Sequence, residues 1–201
     1  MKKQLTIFLT VLLLFTSCVK GRASNAPTAG KIEDNLYTAT YMNLQFTANE
    51  NWQLSSAREV AEITANNLAD GTILDMQATY IYDANASSQT TPLTYTISVY
   101  YISKVQNGAT FTTAAAYLEN HRSAIISTQA TLNSIYETTD IAPFTLASQD
   151  YVYYANHISA AQTTCYYFAK DVDENYILLI SMQLPSDLSI VQVTNMFTAL
   201  Q

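Results

Sequence analysis

Between Tyr37 and Trp52 the chain reads YTATYMNLQFTANENW, with Tyr41, Leu44, Phe46 and Trp52 standing as bulky apolar positions among polar ones. That spacing predicts an opening strand that buries one face and ends on a large aromatic anchor. Ser56 and Glu59 follow at the separation of a capping box, in which the serine oxygen takes a free amide and the glutamate returns to the amide of Ser56. Val60, Ile63 and Leu68, with Ala61 and Ala65 close by, then recur near helical spacing up to a stop signal at Asp70 and Gly71. TILDMQATYIY, residues 72–82, alternates, with Leu74, Met76, Ala78, Tyr80 and Tyr82 on one side. DANASSQTTP predicts a polar loop. LTYTISVYYIS alternates again through Leu93, Tyr95, Ile97, Val99 and Tyr101, so the two strands most simply form an antiparallel hairpin.

Past the turn region SKVQNGAT, Thr112 or Thr113 caps a helix over AAAYLENHRSAIIS, whose apolar stripe is Ala114, Tyr117, Leu118, His121 and Ile125. Short strands follow in NSIYE, PFTLA, DYVYYANHI, TTCYYFAKDV and NYILLISMQL. Turns at Ala147 to Asp150, Ser159 to Gln162 and Asp173 to Asn175 separate them. The unbroken ILLI run predicts a strand covered on both faces, and from that we expect helices on each side of the sheet. Pro185, Ser186 and Asp187 predict the start of a C-terminal helix carrying Ile190, Val193, Phe197 and Leu200.

With 201 residues, 49% of them hydrophobic and only 12% charged, the chain fits one domain with a substantial core. Its solvated faces are built from Thr, Ser, Asn and Gln more than from ions. The formal charge is −7 and basic residues are scattered singly, which excludes nucleic acid as a natural partner. Two histidines without nearby cysteine or paired carboxylates argue against zinc, and neither a glycine-rich phosphate loop nor GxSxG is present. No cofactor is expected.

The first eighteen residues, MKKQLTIFLTVLLLFTSC, have a basic start, an apolar run from Leu5 to Phe15 and small residues leading into Cys18. The apolar run is shorter than the roughly 20 residues that span a bilayer. This segment resembles a bacterial lipoprotein signal, in Thr16, Ser17 and Cys18, with Phe15 in place of the usual leucine. The resemblance implies removal of residues 1–17, a diacylglycerol thioether on Cys18 and often acylation of its new amino group, so that lipid chains hold the protein to the membrane. Ordinary secretion and a retained anchor are the alternatives. Loss of Lys2 and Lys3 with the leader takes the formal charge to −9. Residues 18–36 are then the lipidated cysteine and a flexible tether with a reach of roughly 25 Å, and residues 37–201 form the domain.

Taken together, the pattern Tyr37-Thr38, Tyr41, Leu44, Phe46 and Trp52 followed by Ser56-x-x-Glu59, then a hairpin, a central helix, a meander and a last helix, resembles the PsbP-like family, in its bacterial lipoprotein branch. The resemblance implies an α+β fold: an antiparallel β-sheet with helices on both faces, an α/β/α sandwich. It carries over no functional residue, because the shared pattern is one of core packing.

Three groups of side chains are candidates for chemistry. Cys165 with His157 or His121 would make a thiolate and base, but a tight turn at Ser159 to Gln162 places His157 opposite Thr164 and points Cys165 to the other face of the sheet. His121 reads better as a partly buried packing residue. Asp171, Asp173 and Glu174 at a turn suit calcium only loosely, without the glycine and glutamate of an EF-hand, and a solvated turn is the simpler reading. The tyrosines Tyr151, Tyr153, Tyr154, Tyr166 and Tyr167 either pack half-buried or form an aromatic binding face for sugars, peptides or a protein. The expectation is a non-enzymatic, lipid-anchored module on the extracytoplasmic face of a bacterial membrane that binds a protein or small ligand. An envelope hydrolase with a site assembled from distant residues, and an accessory subunit of an envelope assembly, are the alternatives.

Overall fold

The computed structural model describes residues 27–70, 80–88, 95–106, 109–130 and 136–200. Cys18, the leader, most of the strand expected over 72–82, Leu93 and Gly71 lie outside the described residues. The opening run is a ribbon folded back on itself, where the sequence pattern predicts one strand. β1 (Lys31–Glu33) and β2 (Leu36–Ala39) lead into a 3₁₀ turn at Thr40–Met42, and β3 (Leu44–Thr47) returns beside β2. Asn43 leaves that turn at φ 50°, a left-handed conformation that asparagine tolerates, and its N–H donates to the Thr40 carbonyl at 3.2 Å. β4 (Trp52–Leu54) follows. α1 (Ala57–Asp70) then starts behind the expected capping box: the Ser56 N–H donates to Glu59 Oε2 at 2.7 Å, and the Glu59 N–H donates to Ser56 Oγ at 3.3 Å.

β5 (Tyr80–Ser88) and β6 (Thr96–Ser103) form the expected antiparallel hairpin, but β5 continues through residues 83–88, which the polar composition predicts as loop. β7 (Val105–Gln106) and β8 (Ala109–Thr110) make a small ribbon before α2 (Ala114–Ala130), whose cap is Thr113: its hydroxyl accepts from the Ala116 N–H at 3.1 Å. A meander of β9 (Tyr136–Thr138), β10 (Ala142–Leu146), β11 (Gln149–Ile158), β12 (Thr163–Asp171) and β13 (Tyr176–Pro185) completes the sheet. The expected long C-terminal helix is instead α3 (Ile190–Thr194), five residues opened by a capping box between Ser189 and Gln192, followed by β14 (Phe197–Thr198).

Among the described residues every strand pairing is antiparallel. Strands β10-β11-β12-β13-β6-β5-β4 run in that order across the large sheet, with β9 added beside β11, and β1-β2-β3-β14 form the small one. All four residues of the Ile177–Ile180 run are buried. Ile177 and Leu179 pack with Tyr117 and Leu118 of α2, while Leu178 and Ile180 face a separate cluster that includes Tyr37, Leu44, Phe46 and Phe197 from the small sheet. The helices-on-both-faces α/β/α sandwich is therefore corrected: the fold is mostly antiparallel β, with a helix over one face of β13 and a second sheet over the other. The physical reason is that a face of the small sheet hides apolar area as well as a helix does. Tyr37, Ala39, Leu44 and Phe46 point inward from β2 and β3, while Thr38, Gln45 and Thr47 alternate outward.

β1 falls inside the stretch that composition marks as tether. Its approach is held by Asp83, which sits at a β-bulge in β5 where the register shifts between Tyr82 and Ala84. The buried carboxylate of Asp83 accepts from the Tyr37 hydroxyl at 2.6 Å and from the Gly30 N–H at 3.0 Å. A Cβ on Gly30 would lie 2.3 Å from the Tyr37 ring, so only glycine fits there.

Candidate functional site

One end of the large sheet gathers the start of β4, the end of β5, the start of β6, the turn between β11 and β12, and the end of β13. The pairings Trp52 with Ser88 and Thr163 with Pro185 fix this juxtaposition, and the Ser88 N–H donates to the Tyr95 carbonyl at 2.9 Å. Two clefts open there. One, of about 530 Å³, is lined by Asn49, Asn51, Trp52 and Gln192 over a floor of Leu188, Val193 and Met196. The other, of about 730 Å³, is lined by His157, Ser159, Gln162 and Ser186. Tyr95, Pro185 and Asp187 line both, so the two are halves of one groove. Its size falls in the range of small-molecule sites.

The groove has two kinds of polar group. Some are already committed: Gln192 Oε1 accepts from the Ser189 N–H at 3.1 Å, and Asn49 Oδ1 accepts from the Asn51 N–H at 3.0 Å. Others are free. The side chains of Asn51, Tyr95, Gln162 and Asp187 make no hydrogen bond to a described residue. Gln162 is held at φ 48°, closing the 3₁₀ turn Ser159–Ala161 in the geometry that Asn43 uses in the first ribbon. Its N–H donates to the Ser159 carbonyl at 3.2 Å, but its side chain has no part in that bond.

A chain of hydroxyls backs the second cleft. His157 Nδ1 lies 3.1 Å from Thr164 Oγ1 and 3.2 Å from Ser186 Oγ, and the Tyr166 hydroxyl bonds to Thr164 in turn. With Thr164 donating to Nδ1, the imidazole carries its proton on Nε2 and becomes a donor. Burial raises the Tyr166 pKa further above the ordinary phenol value. Among the described residues no carboxylate contacts the His157 ring.

The other candidates fall elsewhere. His157 pairs with Thr164 across the sheet as the turn length predicts, and Cys165 pairs with Asn156, its thiol pushed up in pKa by burial. His121 packs against Tyr117 and Tyr167, with Nδ1 2.5 Å from the Tyr154 hydroxyl; burial holds its pKa down at about 4. Asp171 is engaged by the buried Lys104 at 2.6 Å and accepts from the Ala114 N–H at the start of α2. Asp173 Oδ1 accepts from the N–H groups of Asn175 and Tyr176, and its other oxygen takes the Tyr41 hydroxyl. Among the described residues no group of three or more His, Cys, Asp or Glu is placed to hold a metal ion.

The five tyrosines do not share a surface. Tyr151, Tyr153 and Tyr166 lie on the face that also carries Phe168, whereas Tyr154 and Tyr167 stack 5.0 Å apart on the opposite face beneath α2. None of the five is exposed, and burial raises the pKa of Tyr151. Only Tyr166 connects to the groove, through Thr164. Sequence reasoning places Tyr95 in a strand face, Gln162 in a turn, and Ser186 and Asp187 at a helix start. Nothing local marks them as neighbours, because the groove is assembled from segments separated by tens of residues. Among the described residues no helix is long and apolar enough to cross a membrane. No family profile and no curated protein matches the chain.

Proposed function

We propose that the chain is a lipid-anchored, extracytoplasmic binding module, held at a bacterial membrane through Cys18, whose groove takes a polar ligand without transforming it. The observation that carries the reading is the set of side chains at the joined clefts that make no hydrogen bond to a described residue: Asn51, Tyr95, Gln162 and Asp187 present donors and acceptors around an aromatic ring. Such a lining binds and orients. The anchor rests on the plan of residues 1–18, and with β1 docked on the domain the free tether is shorter than residues 18–36.

Trp52 is the sole tryptophan and lines the groove, so its emission reports on any occupant. Titrating the full-length chain with an extract of the envelope is expected to give a saturable change in Trp52 emission. An unchanged spectrum would count against the reading. An envelope hydrolase is the second reading, and one contact favours it: Ser186 Oγ lies within reach of His157. Two features weaken it. Thr164 competes for the same ring nitrogen, and no described carboxylate orients the imidazole as a triad requires. A fluorophosphonate probe is expected to leave Ser186 unlabelled.

A further inference from the structure

We infer that the groove binds a neutral oligosaccharide laid across Tyr95, with its hydroxyls bonded by Asn51, Gln162 and Asp187. This inference rests on the groove being a ligand site, as proposed above, and goes further in naming the ligand's chemistry. Among the described residues no lysine or arginine lines either cleft, and Asp187 is the one carboxylate there. An anionic ligand would find no counter-charge and would approach a chain of net negative charge. A wholly apolar ligand fits no better. It would cover the amides of Asn51 and Gln162, which make no hydrogen bond to a described residue, and take them out of water, which is costly.

An extended peptide binds most readily along a sheet edge, where a row of backbone groups is unpaired. The groove lies at strand ends instead, between segments whose backbones are already paired, such as Ser88 with Tyr95 and Ser186 with Gln162. A pyranose matches what remains. Its ring presents one face of C–H groups to an aromatic side chain, and its rim of hydroxyls both donates and accepts, as amides and a carboxylate require. The joined clefts provide room for more than one sugar unit, with Tyr95 at the junction.

The test is calorimetric titration of the full-length chain, held in a polyoxyethylene detergent that carries no sugar, with maltotriose, cellotriose, chitotriose and, as the acidic control, sialyllactose. Saturable binding of a neutral trisaccharide and none of sialyllactose is expected. Tyr95→Ala should weaken that binding roughly tenfold. Gln162→Gly should weaken it while raising the melting temperature, since glycine relieves the left-handed conformation at that position. That combination separates loss of a contact from loss of the fold. Failure of all three neutral sugars to bind, or binding that both variants leave unchanged, would overturn the inference. If the sugars fail while envelope extract still alters Trp52 emission, the saccharide is wrong and the ligand groove stands.

Discussion

His121 sits in an otherwise apolar stripe of α2, its ring between Tyr117 and Tyr167 and its Nδ1 against the Tyr154 hydroxyl. A neutral imidazole suits that place, and an imidazolium does not. Burial lowers its pKa from 6.5 to about 4 in the fold, so the unfolded chain binds the proton more readily. The sign follows: above pH 6.5 the group is neutral in both states and has no effect, and as pH falls from 6.5 towards 4 stability declines. The loss reaches about 3 kcal/mol at most. Chemical denaturation at a series of pH values should show this slope in the wild type and a flatter one in His121→Gln. An identical slope in both would mean that His121 is not the titrating group. The apolar period of the helix foretells the burial of this histidine, whereas its hydrogen bond to Tyr154, thirty-three residues on, has no local signal.

The ILLI run is the element whose sequence is most informative and whose consequence is most easily misjudged. Continuous burial from Ile177 to Ile180 follows from composition alone, because a strand with one wet face would alternate. What covers each face does not follow. Leu179 meets α2 and Leu178 meets the cluster shared with the small sheet. Leu178→Ala and Leu179→Ala should each cost about 2–5 kcal/mol in denaturant unfolding. A large loss at only one of the two would mean that one face of β13 is open to solvent. The same ambiguity affected both ends of the chain. Tyr41, Leu44 and Phe46 read as one strand because the reversal at Thr40–Asn43 uses no glycine or proline. The turn at Ala147 and Ser148, with φ of 50° and 58°, falls where the ASQD stretch predicts one, although neither residue type favours that backbone. Phe197 keeps helical spacing from Val193 yet reaches the core through β14, where it pairs with Phe46 at 4.7 Å between ring centroids.

Across the whole molecule, the starts of the two long helices were legible from their caps, Ser56 with Glu59 for α1 and Thr113 for α2, whereas the Ser189–Gln192 box of the short α3 was not. The layering was not, since apolar faces of helices and of small sheets look alike in composition. The groove was less legible still. Asn51, Tyr95, Gln162 and Asp187 meet only because four segments lie at the same end of the large sheet's strands, and polar residues at strand ends are ordinary. The five tyrosines were the more conspicuous feature, but alternation divides them between two buried faces. Binding at strand ends also leaves both packed layers undisturbed, so occupancy should change the groove and little else. Hydrogen exchange of the full-length chain with and without envelope extract tests this most directly. Protection confined to residues 49–52, 95, 157–164 and 185–192 is the expected result, and protection that spares those segments, or none anywhere, would contradict the placement of the site.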